Sequence, residues 1–487
     1  MKKFFSIFFS DKPLKMMMLG FSSGLPILLV FSTLSVWLSK AGVERSTITL
    51  FSWAGFAYAF KFLWSPLVDK INIPLFSKMG HRRSWLLIVQ ILILITLIFT
   101  SMTDPQLNLK FTAICIALVA FFSATQDIII DAYRIELVNQ HKQGPISSMY
   151  IAGYRIGMIV GGAGSLWLAA YWGVEKYDQT VWQKVYMTMA LLMIIGIFAN
   201  YISEDPRKII VIKKNTWLHV KFFLTVLISV ILFIYLYSNI SNTFGDSNFL
   251  IFLFTIFKLC FCFLICGFFL ILQVRLKVLS KSLIKQSYIE PIKNFISRFG
   301  KYAIIILLLI GLYRIADVVM GVIANLFYLE KGYSVKDIAT YSKFFGVFAT
   351  IFGGLIGGYF AYRFGTMKAL FIGAVIAALS NLLFAWLAGV NINIKYLIMV
   401  ITADNIASGF AGAAFVVYLS GLTSIKFTAT QYALFSSLML FIPKLIAGYS
   451  GAWVDAMGYQ TYFIITAIIG VPVLFLIIWI SRIAPVK

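Results

Sequence analysis

Apolar runs of about twenty residues recur along the whole chain, and that is the length an α-helix needs to cross the hydrocarbon core of a bilayer. Hydrophobic residues fill 61% of the 487 positions and charged residues only 12%, a balance foreign to a soluble domain of this size. A membrane β-barrel would read as short alternating segments, whereas these runs are continuous. The chain is therefore expected to be an all-α polytopic membrane protein. Fourteen spans are predicted, at roughly 16–38, 47–68, 85–102, 111–133, 147–172, 181–202, 217–239, 248–273, 302–328, 337–361, 367–388, 396–420, 428–452 and 460–481. The run from Met16 to Leu38 is too long for the apolar core of a signal peptide and reads as an uncleaved first span.

The formal charge is +23, from 41 Lys and Arg against 18 Asp and Glu. Most of the basic residues fall on one set of alternate loops and termini, including Arg207, Lys208, Lys213 and Lys214 and the segment Arg275 to Lys301. That bias marks the cytoplasmic side and places both termini there. The basic excess is thus topological: it suits anionic lipid and does not point to nucleic acid. The four cysteines, Cys115, Cys260, Cys262 and Cys266, all lie in predicted spans and read as small hydrophobes, with no metal site. His81, His141 and His219 sit at or beside the cytoplasmic edge with no nucleophile or ligand cluster, so an enzyme is not expected and no cofactor is called for.

The pattern of spans is six, two, six. Trp37 to Ile48 aligns with Phe327 to Ile338, each following the first span of a six-span half. The next loops also correspond, Pro66 to Asp69 with Gly80, Arg82 and Arg83 in one half, Gly357 to Arg363 with Gly365 and Lys368 in the other. Two parallel halves about an axis normal to the membrane are the plan of the major facilitator fold. The expected division is an N-terminal half at 1–203, basic linkers with two inserted transmembrane helices at 204–301, and a C-terminal half at 302–487.

Longer strings carry a narrower resemblance. Leu19-Gly-Phe-Ser-Ser-Gly24-Leu-Pro26, Phe60-Lys61-Phe-Leu-Trp64-Ser-Pro66, Arg82-Arg83-Ser-Trp85, Ser123-Ala-Thr-Gln126-Asp127 and Gly153-Tyr154-Arg155-Ile-Gly157 together resemble the AmpG-type muropeptide permeases, as do Leu312-Tyr-Arg314-Ile-Ala-Asp317 and Ala429-Thr-Gln431 in the second half. The resemblance departs in the middle, where the extra pair of spans lies between the halves. It implies an inner-membrane importer of anhydro-muropeptides, coupled to protons and working by alternating access. Acetyl-CoA transporters form a related branch, so another anionic metabolite is the alternative, as is a lipid flippase on the same fold. The expected partners are a small anionic substrate, a proton and membrane lipid, with the chain acting as a monomer.

Charged groups deep in spans are costly and mark paths, relays or latches. Asp127 and Asp131 lie four apart on one helix face, with Arg134 one turn on. Two carboxylates on one face cannot both ionise cheaply in a low dielectric, which suits Asp127 to carrying a proton, with Asp404 and Asp317 as further candidates. Asp131 is expected to latch the cytoplasmic gate with Arg82 or Arg83, alongside Asp69 and Arg363. Arg155 and Arg314 are the expected anion clamps, since a guanidinium binds a carboxylate through two parallel hydrogen bonds. Lys343 and Lys444 add point charges, Gln126 a polar contact and Trp53 a stacking face. An intrahelical pair with Asp317 is the plain reading of Arg314, and snorkelling that of Lys61. Lys258, deep in the largely apolar inserted pair, has no partner legible in the sequence.

Overall fold

The computed structural model describes residues 6–44, 47–48, 51–71, 73, 79–173, 177–206, 216–240, 248–334 and 337–483. These residues are overwhelmingly helical. In chain order the first six helices are α1 (Asp11–Lys40), α2 (51–70), α3 (His81–Ser101), α4 (Pro105–Leu137), α5 (143–171) and α6 (Gln179–Ile202). The inserted pair is α7 (Thr216–Asn239) and α8 (Asn248–Arg275), followed by a short amphipathic helix α9 (281–299). The last six are α10 (303–331), α11 (338–364), α12 (Thr366–Gly389), α13 (Ile394–Leu422), α14 (Thr428–Ala447) and α15 (Ser450–Ile483). The loop with Arg207, Lys208, Lys213 and Lys214 lies outside the described residues.

Among the described residues, ten helical stretches are long and apolar enough to cross a membrane. Where described, the fourteen expected spans are helical, with α2 broken into short α and 3-10 pieces and α5 interrupted by a π turn at Val160–Gly164. Ten spans are thus marked by length and composition among the described residues, and the count of fourteen is not confirmed. The fourth span starts close to its apolar run: after a short turn capped by Asp104, which accepts from the Gln106 amide at 2.9 Å, the backbone leaves helical geometry at Asn108, whose side chain accepts from the Phe111 amide at 3.0 Å and caps the long part of α4.

The sequence repeat has a backbone counterpart. Gly42 and Gly332, which end the first helix of each half, both have positive φ (77° and 102°), a left-handed conformation that glycine adopts without a Cβ clash. Gly80 and Gly365 repeat the device at the next loop, with φ of 90° and 96°. Within each half one helix pair meets almost backbone to backbone: Gly20 and Gly24 of α1 lie on Tyr150 and Tyr154 of α5, and Gly409 of α13 on Thr350 of α11. Small residues permit that approach where no water-driven force brings helices together.

Two apolar clusters form, one from the N-terminal helices and one from the C-terminal helices. The inserted pair joins the first through Phe222 and Phe233 of α7 and Cys262 and Cys266 of α8, with the Phe233 ring 5.1 Å from that of Phe60. Lys258 acquires its account here. Its ammonium donates to the Ile240 carbonyl at 2.6 Å, just beyond the end of α7, and sits 4.3 Å from the Tyr237 ring, which meets the negative end of the helix with a cation.

Candidate functional site

A cavity of about 430 Å³ lies between the halves. From the first half it is lined by Tyr58, Lys61, Asp127, Asp131, Tyr154 and Arg155, and from the second by Arg314, Ser408, Tyr432 and Lys444. Six of the charged groups singled out in the sequence thus face one space, although they come from five helices. The described part of the inserted pair contributes no lining residue.

At one end of the cavity α4 presents its charged face. Asp127 accepts a short hydrogen bond from the Ser23 hydroxyl of α1, and Ser23 in turn lies 3.4 Å from the Tyr150 hydroxyl. Asp131 is held differently, by Lys61 at 3.8 Å and Arg134 at 3.4 Å. Lys61 is buried and turned inward, so it does not snorkel; a carboxylate at this depth holds it better than the interface would. Arg134 is wholly buried and donates to Ser147 at 2.7 Å and to Ser420 of the opposite half at 2.9 Å. Its guanidinium also lies over the rings of Tyr150 and Tyr432, at 5.8 and 5.2 Å.

Further along the cavity stand the expected clamps. Arg314 sits where α10 breaks between Leu312 and Ile315, which frees its guanidinium to reach Asp317 at 2.5 Å and Ser408 at 3.2 Å. The intrahelical pair is therefore formed. Arg155 differs: its only hydrogen-bond contact among the described residues is the weak one to the Met158 sulfur at 4.0 Å, and no carboxylate pairs with it. Asp404 is outside the cavity lining, takes a hydrogen bond from Ser380 at 3.1 Å and stands near Asp317. Gln126 also points elsewhere, donating to the Ser22 carbonyl of α1 at 2.8 Å. The side chains of Trp53 and Lys343 lie outside the described residues.

The end of the cavity nearest the basic loops is shut. Arg82 bonds Glu136 at 2.7 Å, Asp69 at 2.8 Å and the Val68 carbonyl at 2.9 Å. Asp69 then crosses to the other half, accepting from the Ala429 amide at 3.1 Å and from the amide and hydroxyl of Thr430 at 2.9 and 2.7 Å. One guanidinium faces two carboxylates here, and the positive end of α14 offsets part of the surplus negative charge. Gln140 to the Val417 carbonyl at 3.3 Å and Ser148 to the Gly354 carbonyl at 2.8 Å complete the closure.

This arrangement corrects two expectations. The Asp131 latch to Arg82 or Arg83 is not formed, because Glu136 lies one turn nearer the loop and takes Arg82, leaving Asp131 to the cavity. Arg83 instead bonds the Asn200 and Tyr201 carbonyls at the end of α6, at 3.1 and 2.9 Å. Arg363 is exposed and forms no ion pair among the described residues. Sequence reasoning missed Glu136, Ser23 and Tyr150. Glu136 carried a signal, being an acid inside the same helical stretch as Asp131; Ser23 and Tyr150 carried none.

Residues 16–403 match the sequence pattern of the Major Facilitator Superfamily. The chain belongs to that superfamily. Within it the chain is of the AmpG type: it is 30% identical over 479 residues to a Rickettsia conorii protein named as transporter AmpG 4, covering 98% of both chains. It is 29% identical over 480 residues to the anhydromuropeptide permease of Escherichia coli K12, covering 98% of this chain and 81% of that one. Solved superfamily structures share the fold: the proton:xylose symporter XylE, at a TM-score of 0.59 and 13% identity over 99% of this chain and 96% of that one, and the E. coli fucose:proton symporter FucP, at 0.60 and 10% over 96% and 97%. This superfamily member is accordingly a multi-pass membrane transporter.

Proposed function

We propose that the chain is a proton-coupled importer of anionic cell-wall fragments, anhydro-muropeptides, across the inner membrane by alternating access, with its termini and the closed end of the cavity in the cytoplasm. The observation that carries this reading is Arg155, a guanidinium without a carboxylate partner among the described residues, in a cavity shared with Arg314 and Lys444. A half-buried cation left unpaired inside a membrane protein is costly unless something anionic joins it. The substrate's carboxylate supplies that partner, and Arg314 meets it from the other half, so a bound anion draws the halves together. The tyrosines beside Arg155 offer flat faces to a sugar ring. The name of the E. coli relative favours the muropeptide class over other anions.

The proton goes to Asp127, whose hydrogen bond is to a neutral hydroxyl whereas Asp131 is tied to two cations. Inward release then requires the halves, 1–203 and 302–487, to part at the basic end, breaking the Asp69 cap, Arg134 to Ser420, and the Gln140 bond. At about 0.5–1.5 kcal/mol each these sum to several kcal/mol, within reach of the ~8 kcal/mol that micromolar binding supplies.

Purified protein in liposomes tests the reading. An imposed pH gradient should drive accumulation of anhydro-muropeptide, and Asp127→Asn should abolish accumulation while equal-pH counterflow persists, because an amide mimics the protonated acid but cannot release the proton. Arg155→Gln should lower both modes by about tenfold or more, the worth of a charge-assisted bond. Gradient-driven accumulation retained in Asp127→Asn would move the proton to Asp404. Lipid scrambling without muropeptide uptake would overturn the importer.

A further inference from the structure

Helix α9 has two faces. Leu283, Ser287, Pro291 and Phe295 recur every four residues and are buried. The opposite face holds Ile289, Ile292 and Ile296, exposed by 53, 46 and 49%, flanked by exposed Lys281, Lys285 and Lys293, none of which forms an ion pair among the described residues.

The depth of this helix follows from what its inner face touches. The Tyr288 hydroxyl donates to the Leu63 carbonyl of α2 and its ring lies 5.7 Å from Phe222 of α7, while Phe295 lies 5.2 Å from Phe435 of α14. Those three partners sit about two turns inside the ends of their helices, which at 1.5 Å rise per residue is roughly 10 Å. An exposed isoleucine row at that depth, edged by lysines, is the pattern of a helix lying in the boundary between headgroups and acyl chains.

The same helix is fastened to both halves. Lys70 donates to Ser287 at 2.9 Å on the first half; on the second, Arg298 donates to the Leu422 carbonyl at 2.7 Å and Gln431 to the Pro291 carbonyl at 2.8 Å. When α2 and α14 separate, α9 must release one set.

We infer that α9 is a binding surface for anionic phospholipid, with headgroup phosphates on Lys281, Lys285 and Lys293 and the isoleucines among the acyl chains, and that lipid bound there strengthens closure of the basic end. Lysines near a membrane surface attract anionic headgroups and leave neutral ones largely unselected. The lipid site stands apart from the transport reading; only its consequence for transport rests on it.

The test is hydrogen exchange of the full chain in nanodiscs of phosphatidylcholine, alone or with a third replaced by phosphatidylglycerol. Phosphatidylglycerol should slow exchange in segments 281–299 and 424–432 by at least about fivefold, the factor that one lysine–headgroup attraction gives. Lys281→Gln/Lys285→Gln/Lys293→Gln should remove that response while leaving exchange in phosphatidylcholine as in the wild type, and Lys285→Gln alone should reduce it partly. An unchanged response in the triple variant, none in the wild type, or full slowing by soluble glycerol phosphate in phosphatidylcholine discs would overturn the inference. No substrate enters this assay, so its outcome and that of the uptake assay are separable.

Discussion

The two halves meet along two seams built from different chemistry. Where α5 meets α11, Gly144 lies against the Gly358 carbonyl and Gly358 against Ser148 and the Gly144 carbonyl, leaving no room for a Cβ at either glycine. Where α2 and α4 meet α14, the contact is ionic and capped: Arg82, Asp69 and Glu136 gather at the start of α14, and α9 and the inserted pair cover the flank. A small-residue seam gains its energy from close packing and lets two smooth helices tilt on each other. A charged seam holds only while donors and acceptors are matched, and it releases as a unit once they are not. The first is suited to being the pivot and the second the latch.

The largest effect expected is at the latch. Arg82→Met leaves Asp69 and Glu136 buried without their cation and should cost about 3–5 kcal/mol, read as a lowered thermal midpoint in detergent. Adding Glu136→Leu should restore part of it, because one of the two orphaned charges is then gone. A wild-type midpoint in Arg82→Met would break the comparison outright.

Crowding the pivot should come next. Gly358→Val forces the backbones of α5 and α11 apart at about 1–3 kcal/mol, so a cysteine placed at buried Ser147 should label with a hydrophilic maleimide several-fold faster. If labelling is unchanged, the glycine seam tolerates side chains and is no pivot.

Asp69→Asn removes the charge of the α14 cap and turns one of its two accepting oxygens into a donor, at about 1 kcal/mol. Opening at the latch should rise roughly fivefold by the same labelling assay. Smallest of all, Ser148→Ala removes one hydrogen bond, to the Gly354 carbonyl, at about 1 kcal/mol or less; an effect larger than that of Asp69→Asn would reverse the roles given to the two seams.

Much of the fold was legible because bilayer crossing leaves a local signature. The apolar runs and the paired glycines at 42 and 332 are each written within a few residues of where they act. The break in α2 at Lys61 was not legible: its apolar composition suits a continuous helix, and only packing against α4 and the ion pair with Asp131 account for a turned-in lysine. Of the site, Arg155, Arg314, Asp127 and Asp131 stood out as charges where charge is costly, and all four line the cavity. Gln126 stood out equally and serves to tie α4 to α1. Polarity at depth identifies a residue that needs a partner, whether or not the partner is a ligand.

The sequence by itself determined that the chain is a helical membrane protein, how the halves repeat and which side chains need a partner, since each depends on local composition and pattern. The tertiary structure decided the partners. Asp131 took Lys61 and Arg134, Arg82 took Glu136, and Asp69 crossed to the start of α14. These choices depend on the rotation of each helix about its axis and on distances between residues far apart in the chain, which local periodicity leaves free. An ion pair or a cap forms only within a few ångströms, so the packing of whole helices selects it.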